Sequence, residues 1–207
     1  MNKQASIHKA VPKIELSEAR ILEVAEETLR RFGPDKTTVV DVARALGVSH
    51  GSVYRHFASK ADLRAAVVRR WLDASLSPLA AIAEEEASAL VKLRHWIDRL
   101  VAIKRERAIA DPELFAAYYT LALEAAEVVR EHMAELRRQV GGILAEGALR
   151  GEVVITTDPE QTAQAILDAT VKFQNPAHAA SWTDPNVDNA YENVWQLIEG
   201  GLRVRVN

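Results

Sequence analysis

The sequence has 207 residues, a net charge of −3 and no cysteine. The lack of cysteine excludes disulfides, thiolate metal sites and cysteine nucleophiles, and it fits the reducing cytoplasm. The chain is long enough to bury a substantial core, and with no signal-peptide h-region and no apolar run of about 18 residues we expect a cytoplasmic protein without a membrane partner.

Charge is unevenly distributed along the chain. Residues 1–60 carry ten Lys and Arg against seven Asp and Glu, a balance of +3, whereas the remainder carries 16 against 22. A basic N-terminal unit followed by an acidic body is expected of a polyanion-binding head on a non-binding body. Ordinary solvated surfaces would also account for an imbalance of this size.

The first segment, residues 1–13, is predicted to be a flexible N-terminal arm because it is polar, basic and contains Pro12. Its lysines suit a path along the minor groove or backbone of DNA. A disordered tail is the simpler alternative. The basic residues concerned are Lys3, Lys9 and Lys13.

Helix signals follow almost without interruption, and period-2 alternation is nearly absent, which predicts an all-α protein. Ser17 is predicted to cap a first helix that ends at Gly33. Thr38 with Asp41 forms a capping-box pattern for the second helix, and Ser59 with Asp62 repeats that pattern for the fourth. The third helix is predicted to start after Ser49.

The stretch 39–57, VVDVARALGVSHGSVYRHF, predicts a tight corner between the second and third helices. Ala43 and Gly47 are small where two helices must cross, and Gly47 can adopt the positive φ of a sharp turn. Helical spacing directs Val53 and Phe57 inward and leaves the polar side chains outside. A helix-turn-helix of this kind places its second helix in the major groove of DNA.

The polar residues of the third helix differ in reach. Ser49, His50 and Ser52 are short enough to approach base edges, and Gly51 lets the backbone come close, whereas longer side chains suit phosphates. An ordinary helix-loop-helix with a hydrated polar face is the alternative interpretation. The predicted DNA-binding residues are Thr38, Ser49, His50, Gly51, Ser52, Tyr54, Arg55, His56 and Lys60.

Residues 37–63, TTVVDVARALGVSHGSVYRHFASKADL, resemble the DNA-binding signature of the TetR family of bacterial transcriptional regulators, including its YRHF and SKADL elements. SEARILEVAEETLRRFG, ahead of them, extends the resemblance to about a quarter of the chain. The resemblance implies an all-helical homodimer, usually a repressor, that binds palindromic operator DNA and a small-molecule effector. It also implies that Thr38, Tyr54 and Lys60 hold phosphates while His50, Gly51 and Ser52 face bases.

We therefore predict two parts: a three-helix helix-turn-helix DNA-binding domain over residues 14–60 and a larger helical bundle over 61–207 for effector binding and dimerisation. The whole chain is predicted to hold about nine helices. In the bundle, the helix from Ser59 is expected to continue to Ser77, just before Pro78. Further starts are predicted at Asp111 and Asp158, each followed by proline, and near Asp188.

Aromatic residues of the bundle could line an effector cavity, although aromatics at helical spacing most often form core. The candidates are Trp96, Phe115, Tyr118, Tyr119 and Phe173. The resemblance further implies that the last two long helices form the dimer interface. The residues expected there are Ile166, Thr170, Tyr191, Val194, Trp195, Ile198 and Leu202.

Residues 173–186, FQNPAHAASWTDPN, are predicted to form an unusually long loop. Its His178 and Trp182 could contact the pocket mouth or a second copy of the chain. A solvent loop is the alternative.

No catalytic constellation assembles from the sequence. The six histidines include no His-x-x-x-His pair, and Gly142 and Gly147 have P-loop spacing but Ala148 where the lysine must be, so GGILAEGAL indicates close helix packing. We predict no catalytic residue, no metal and no cofactor. The competing hypothesis is a helical ligand-binding or catalytic protein whose N-terminal segment only resembles a DNA-binding head.

Overall fold

The computed structural model describes residues 16–204, so the predicted arm over residues 1–13 lies outside the described residues. Within this range the chain folds into eleven α-helices and two 3-10 helices, with one isolated β-bridge between Val153 and Arg203. The α-helices are α1 (Glu18–Phe32), α2 (Val39–Leu46), α3 (His50–Tyr54), α4 (Lys60–Asp73), α5 (Leu76–Ala83), α6 (Ala89–Ala110), α7 (Pro112–Glu124), α8 (Ala126–Leu149), α9 (Pro159–Ala169), α10 (Val171–Gln174) and α11 (Val187–Leu202). The 3-10 helices are Pro34–Lys36 and Pro176–Thr183.

Short polar side chains fix the starts of α1 to α4, as the sequence predicts. Thr38 Oγ1 accepts from the Asp41 backbone N–H at 3.2 Å and donates to the Asp41 carboxylate at 2.6 Å. Ser59 and Asp62 repeat this arrangement at the start of α4. Gly47 ends α2 with φ of 68°, in the left-handed region that a side chain would disfavour. The corner between α2 and α3 therefore has the predicted form.

The core under the N-terminal head, which comprises α1 to α3, continues into the bundle. Val42 on α2 and Val53 on α3 are fully buried, as are Leu63 and Val67 on α4. These residues belong to one apolar cluster with Leu121 of α7. Helix α4 therefore packs on the head and the body at once, and no break in packing coincides with residue 60.

The remaining helices, α5, α6 and α8 to α11, surround a second apolar cluster. A Cβ atom on Gly147 of α8 would overlap the Cβ of Ala89 on α6 and crowd Val153. Close approach of α6 and α8 therefore depends on this glycine, as GGILAEGAL predicts. None of the helices between residues 16 and 204 is long and apolar enough to cross a bilayer.

The predicted single helix from Ser59 to Ser77 is wrong, because the chain breaks between α4 and α5. Ser75 Oγ donates to the Leu72 carbonyl at 2.6 Å where α4 ends. Pro78 lies in the first turn of α5, where its missing N–H has no helical acceptor to lose. Pro78 therefore lies at the start of a helix and does not end one. Helix α5 is one of the two α-helices in excess of the nine that the sequence predicts.

The predicted loop over residues 173–186 is also folded. It holds the end of α10, the other additional helix, and the 3-10 helix Pro176–Thr183. Trp182 anchors the segment, since its ring is buried and its Nε1–H donates to the Lys172 carbonyl at 2.8 Å. His178 is exposed. A buried tryptophan explains why a turn-rich composition still gives an ordered segment.

Candidate functional site

The outer surface of the head carries the polar residues that the sequence singled out. Ser49, His50, Gly51, Tyr54, Arg55 and Lys60 are exposed, and Thr38, Ser52 and His56 are partly exposed. Val53 and Phe57, between them in sequence, are buried. Helix α3 thus stands on an apolar base and presents its polar side to solvent, which is the geometry that a groove-reading helix needs.

The two serines of α3 are partly committed to local structure. Ser49 Oγ accepts from the Ser52 backbone N–H at 3.2 Å, and the two hydroxyl oxygens lie 2.9 Å apart in a hydrogen bond. Ser49 therefore serves first as the cap of α3. His50, Tyr54 and Arg55 have side chains without salt bridges or hydrogen bonds to other residues in the range 16–204, so they are the more available for an external partner.

Two exposed cationic side chains, Arg55 and Lys60, follow α3 in the sequence. Arg55 and Lys60 make no ion pair with any residue that the structure describes, whereas Arg44 on α2 pairs with Asp41 at 3.1 Å. Lys36, which the sequence analysis left out, is exposed two residues before the Thr38 cap. Its position just before the start of α2 would have identified it from the sequence as a candidate for DNA contact. Exposed cations without an ion pair favour a polyanion as partner.

The five aromatic residues predicted for an effector pocket do not surround one cavity. Trp96 is fully buried and its Nε1–H donates to Gln139 Oε1 at 3.1 Å. Phe173 packs edge-on against Tyr191, and Tyr118 stacks on Trp71 with ring centroids 4.8 Å apart. Trp96, Phe173 and Tyr118 are therefore core residues, as aromatics at helical spacing usually are. Phe115 and Tyr119 do line cavities.

A cavity of about 470 Å³ lies between α4, α6, α7 and α8; we call it the Lys104 cavity. Tyr119 is the one predicted pocket residue on its wall. The other walls are largely apolar, and Trp71 and Leu72 bring the last turn of α4 to it. The lining residues are Trp71, Leu72, Lys104, Tyr119, Ala122, Leu123, Ala126, Val129, Arg130, His132, Met133, Leu136, Gln174, Asn175, Pro176 and Ala177.

Two titratable residues of the Lys104 cavity are buried. Burial, and secondarily the charge of Arg107, lowers the pKa of Lys104 to about 8. Burial, together with the charges of Lys104 and Arg107, lowers the pKa of His132 from 6.5 to about 3. At pH 7 the cavity therefore contains a charged lysine and a neutral imidazole. Neither residue can be assigned from the sequence, since nothing in the local pattern marks them as cavity residues.

A second cavity of about 490 Å³ adjoins the first and shares Tyr119 and Pro176 with it. Phe115 and Trp182 line it, with ring centroids 6.0 Å apart. Arg105 also lines it and pairs with Asp188 at 2.7 Å through Nη1. The other two nitrogens of that guanidinium are buried without a partner among residues 16–204.

His132 gives a pH-dependent stability that can be measured. Between pH 6.5 and about 3 the unfolded chain binds a proton at this imidazole and the folded chain does not, so stability falls as pH falls through this window. In His132→Leu this contribution is absent. Between pH 7 and pH 5, we expect the free energy of unfolding of the variant to fall by about 2 kcal/mol less than that of wild type.

Urea unfolding at a series of pH values measures this difference. His178→Leu, which removes an exposed imidazole, is the matched control and should follow wild type. Parallel stability curves for wild type and His132→Leu would show that His132 protonates equally well in the folded chain.

Most of the predicted dimer-interface residues face the protomer's own core. Ile166, Thr170, Tyr191, Trp195 and Leu202 are buried within the chain, and only Val194 and Ile198 are partly exposed. Buried side chains cannot reach a second copy, so the residues that face outward on the same helices replace them as candidates. These residues are buried because the most apolar face of α9 and α11 packs on α6 and α8 of the same chain.

The outward faces of α9 and α11 border an open groove of about 450 Å³. Leu197 of α11 is 78% exposed there, and Val154 is exposed beside it. Ala165 of α9 and Gly201 of α11 are small residues on the wall of the groove, which leaves room for the close approach of another helix. We call this surface the α9–α11 groove. An exposed apolar surface of this kind is typical of an interaction site.

Comparison with known proteins gives two family matches that follow the two parts of the fold. Residues 21–67 match the model of bacterial regulatory proteins of the tetR family. Residues 89–195, about half of the chain, match the tetracyclin repressor-like C-terminal domain. Helices α1 to α4 thus correspond to the first model, and α6 to α11 to the second.

Individual proteins agree with these matches. The uncharacterized HTH-type transcriptional regulator YfiR of Bacillus subtilis is 32% identical over 91 residues, which is 44% of this chain and 44% of YfiR, so the chain matches less than half the length of that relative. SmeT, described as the repressor of the Stenotrophomonas maltophilia multidrug efflux pump SmeDEF, has a similar fold, with a TM-score of 0.62 at 15% identity over 92% of each chain.

A TetR-family regulator from Mesorhizobium loti gives a TM-score of 0.69 at 17% identity, over 90% of this chain and 96% of its own. Structural likeness at such identities establishes the fold alone. One family model matches the head, and the other matches residues 89–195 of the bundle, which is more than half of the chain. The chain therefore belongs to the TetR family of bacterial regulatory proteins.

Proposed function

We propose that the protein is a ligand-responsive transcriptional repressor, not an enzyme, that binds palindromic operator DNA as a homodimer and is released by a small-molecule effector. The observation that carries this proposal is the exposed polar and cationic side of α3 on its buried apolar base. SmeT, whose fold is similar, is by name a repressor, and one of its structures is a complex with triclosan.

The DNA contacts divide by side-chain length. His50, Gly51 and Ser52 are proposed to face base edges, because they lie at the start of α3. Phosphates are proposed to lie against the other exposed or partly exposed residues, which also set the orientation of the head. These residues are Thr38, Tyr54, Arg55 and Lys60, with Ser49 as the cap and His56 at the edge of the surface.

A dimer is required because a single α3 contacts few base pairs. Two heads about 34 Å apart would read two half-sites of a palindrome. The α9–α11 groove is the proposed interface, since it places exposed apolar residues on the two helices that the family resemblance assigns to dimerisation. This keeps the predicted helix pair and changes the residues.

Helix α4 is proposed to couple effector and DNA. Trp71 and Leu72 in its last turn line the Lys104 cavity, while Leu63 and Val67 near its start are buried against the head. A ligand that fits the cavity better at one position of α4 would favour one separation of the two heads. The repressor would leave the operator if that separation no longer matched the half-site spacing.

Salt dependence tests the DNA interface. In Arg55→Gln each subunit loses one cation, so a dimer should lose two phosphate contacts and the slope of log K against log salt should become shallower by about 2. Affinity should fall for operator and unrelated DNA alike, because phosphate contacts carry no sequence information. Fluorescence anisotropy with the DNA upstream of the protein's own gene measures both quantities.

Arg99→Gln is the control, because Arg99 is a partly exposed arginine on α6, in the body, where it pairs with Glu106. Its slope should equal that of wild type. Equal slopes for Arg55→Gln and wild type would show that α3 is not part of the DNA interface. Failure of the wild-type protein to retard that DNA, or any DNA at low salt, would favour the competing ligand-binding hypothesis.

A further inference from the structure

The Lys104 cavity contains two polar side chains that have no ion-pair or hydrogen-bond partner among residues 16–204. Lys104 is 4% exposed, makes no ion pair within the described chain, and has its Nζ 5.2 Å from the centroid of the Trp71 ring. His132 is 6% exposed, and both of its ring nitrogens lack a hydrogen-bond partner among residues 16–204. Leaving such groups unpaired costs about 1–3 kcal/mol each. A ligand that supplies partners would recover this cost.

The charged side chains that line the cavity are cationic, and one of them, Arg130, pairs with Glu127. Arg107, on α6 with Lys104, has its guanidinium 5.3 Å from the Trp71 ring centroid and donates to the Trp71 carbonyl at 2.9 Å. Among the described residues that line the cavity, Lys104 and Arg130 are cationic and none is an aspartate or glutamate. Glu135, one turn from His132 on α8, is engaged by Arg138 and Gln139. The positive charge of Lys104 therefore has no buried counter-ion.

Most of the remaining wall is apolar, although the amides Gln174 and Asn175 also lie on it, and the cavity has a size that suits a drug-sized molecule. The apolar part is formed by Leu72, Ala122, Val129, Met133 and Leu136, with the ring of Trp71. A polar metabolite would leave these groups hydrated, whereas a hydrophobic body would remove them from water. The ligand must then combine a hydrophobic body with a group that pairs with an ammonium.

We propose that the Lys104 cavity binds an apolar monocarboxylate, with the carboxylate accepting from Lys104 Nζ and from the His132 imidazole N–H, and the hydrophobic body against the apolar wall. This rests on the proposed function, in which the same cavity holds the effector. At pH 7 the protonation states suit the proposal, since lysine is charged and imidazole neutral. Charge-assisted hydrogen bonds in a dry site are stronger than neutral ones.

Three probes with the same body isolate the head group: 4-phenylbutyrate, 4-phenylbutyramide and 4-phenylbutylamine. Isothermal titration of the full-length protein at pH 7 should show the carboxylate binding at least about tenfold more tightly than the amide. The amine should bind most weakly, because like charges would meet at Lys104. Equal affinities for the three probes, a preference for the amine, or no binding of the carboxylate would overturn the proposal.

Lys104→Met tests whether the preference for the carboxylate depends on Lys104, because methionine has a similar unbranched side chain without the buried charge. The carboxylate should then lose its advantage and bind no better than the amide. Arg105→Met is the matched control, since Arg105 lines the adjoining cavity and also has unpartnered nitrogens. Loss of the carboxylate preference in Arg105→Met but not in Lys104→Met would place the anion in that other cavity and overturn the proposal.

Wild-type protein gives a second measurement that needs no variant. Lys104 faces Arg107 on its own helix, His132 and Arg130 on α8, and Tyr119 on α7. Its pKa of about 8 means that carboxylate affinity should fall above pH 8, by up to about tenfold per pH unit until the preference over the amide is lost, while amide affinity stays constant. A carboxylate affinity that does not change from pH 7 to pH 9.5 would contradict a contact with Lys104.

Operator titrations with each probe separate this inference from the proposed function. If 4-phenylbutyrate binds with the expected preference but operator affinity is unchanged, the anion site stands and the proposed effector response fails. If the three probes bind alike and the amide releases the operator, the proposed response stands and the anion site fails.

Discussion

Replacing Arg64 by methionine should lower the free energy of unfolding by about 3 kcal/mol, because this buried guanidinium joins the head to the body. Its side chain is 6% exposed. Nε donates to the Thr37 carbonyl at 3.3 Å and Nη2 donates to the Pro34 carbonyl, just before α2. Nη1 pairs with Glu124, at the end of α7, at 2.6 Å.

The cost is large because methionine supplies none of these hydrogen bonds. The Thr37 carbonyl would lose its donor, and the Pro34 carbonyl would keep only its bond from the Thr37 backbone N–H at 3.2 Å. Each bond lost in a buried site costs about 1–3 kcal/mol. Glu124 is half-exposed and would recover hydration, so we assign most of the effect to the carbonyls. Urea unfolding followed by circular dichroism measures the change.

Arg69→Met is the matched control on the same helix. Arg69 pairs with Glu131 of α8 at 2.6 Å, but both side chains are 47% exposed, so its loss should cost less than about 0.5 kcal/mol. Similar destabilisation by the two substitutions would show that burial of Arg64 contributes nothing. Arg64→Met should also weaken the effect of any effector on operator affinity, because Arg64 is one of the contacts through which α4 holds the start of α2.

Local signals were sufficient for the head. Caps, glycine corners and proline-led starts depend on residues within one helical turn, so Thr38 with Asp41, Gly47 and Asp158 could be assigned without knowledge of the fold. Exposure of α3 followed from the same reasoning, because the spacing of Val53 and Phe57 fixes which side of a short helix is buried. The three-dimensional surface therefore agrees with the predicted one.

Contacts between distant segments could not be predicted in this way. Arg64 and Thr37 are 27 residues apart, and Lys104 and His132 meet only because α6 and α8 pack together around a cavity. Helical periodicity also cannot distinguish a stripe that packs on the same chain from one that meets a second copy. For this reason Trp195 and Leu202 were assigned to a partner although they belong to the core.

Leu197→Glu should convert a dimer to a monomer and weaken operator binding on the order of a thousandfold, since one head alone contacts a single half-site. Leu197 is 78% exposed on α11 and lies in the α9–α11 groove. In a two-fold interface the same patch meets itself, so each glutamate would be buried close to its symmetry mate. Burial of like charges is strongly unfavourable.

Analytical ultracentrifugation at micromolar concentration gives the assembly state, and anisotropy with a palindromic operator gives the affinity. Ile109→Glu is the control, because Ile109 is an aliphatic residue of the same exposure, 79%, at the mouth of the cavity next to the Lys104 cavity. It should stay dimeric and bind the operator as wild type does. This result would show that the effect of Leu197→Glu depends on where the charge is placed. A monomeric wild type, or a Leu197→Glu protein that remains dimeric and binds as wild type does, would move the interface away from this groove. Monomers that still bind the full operator tightly would contradict the requirement for two linked heads, because the affinity would then come from a single α3.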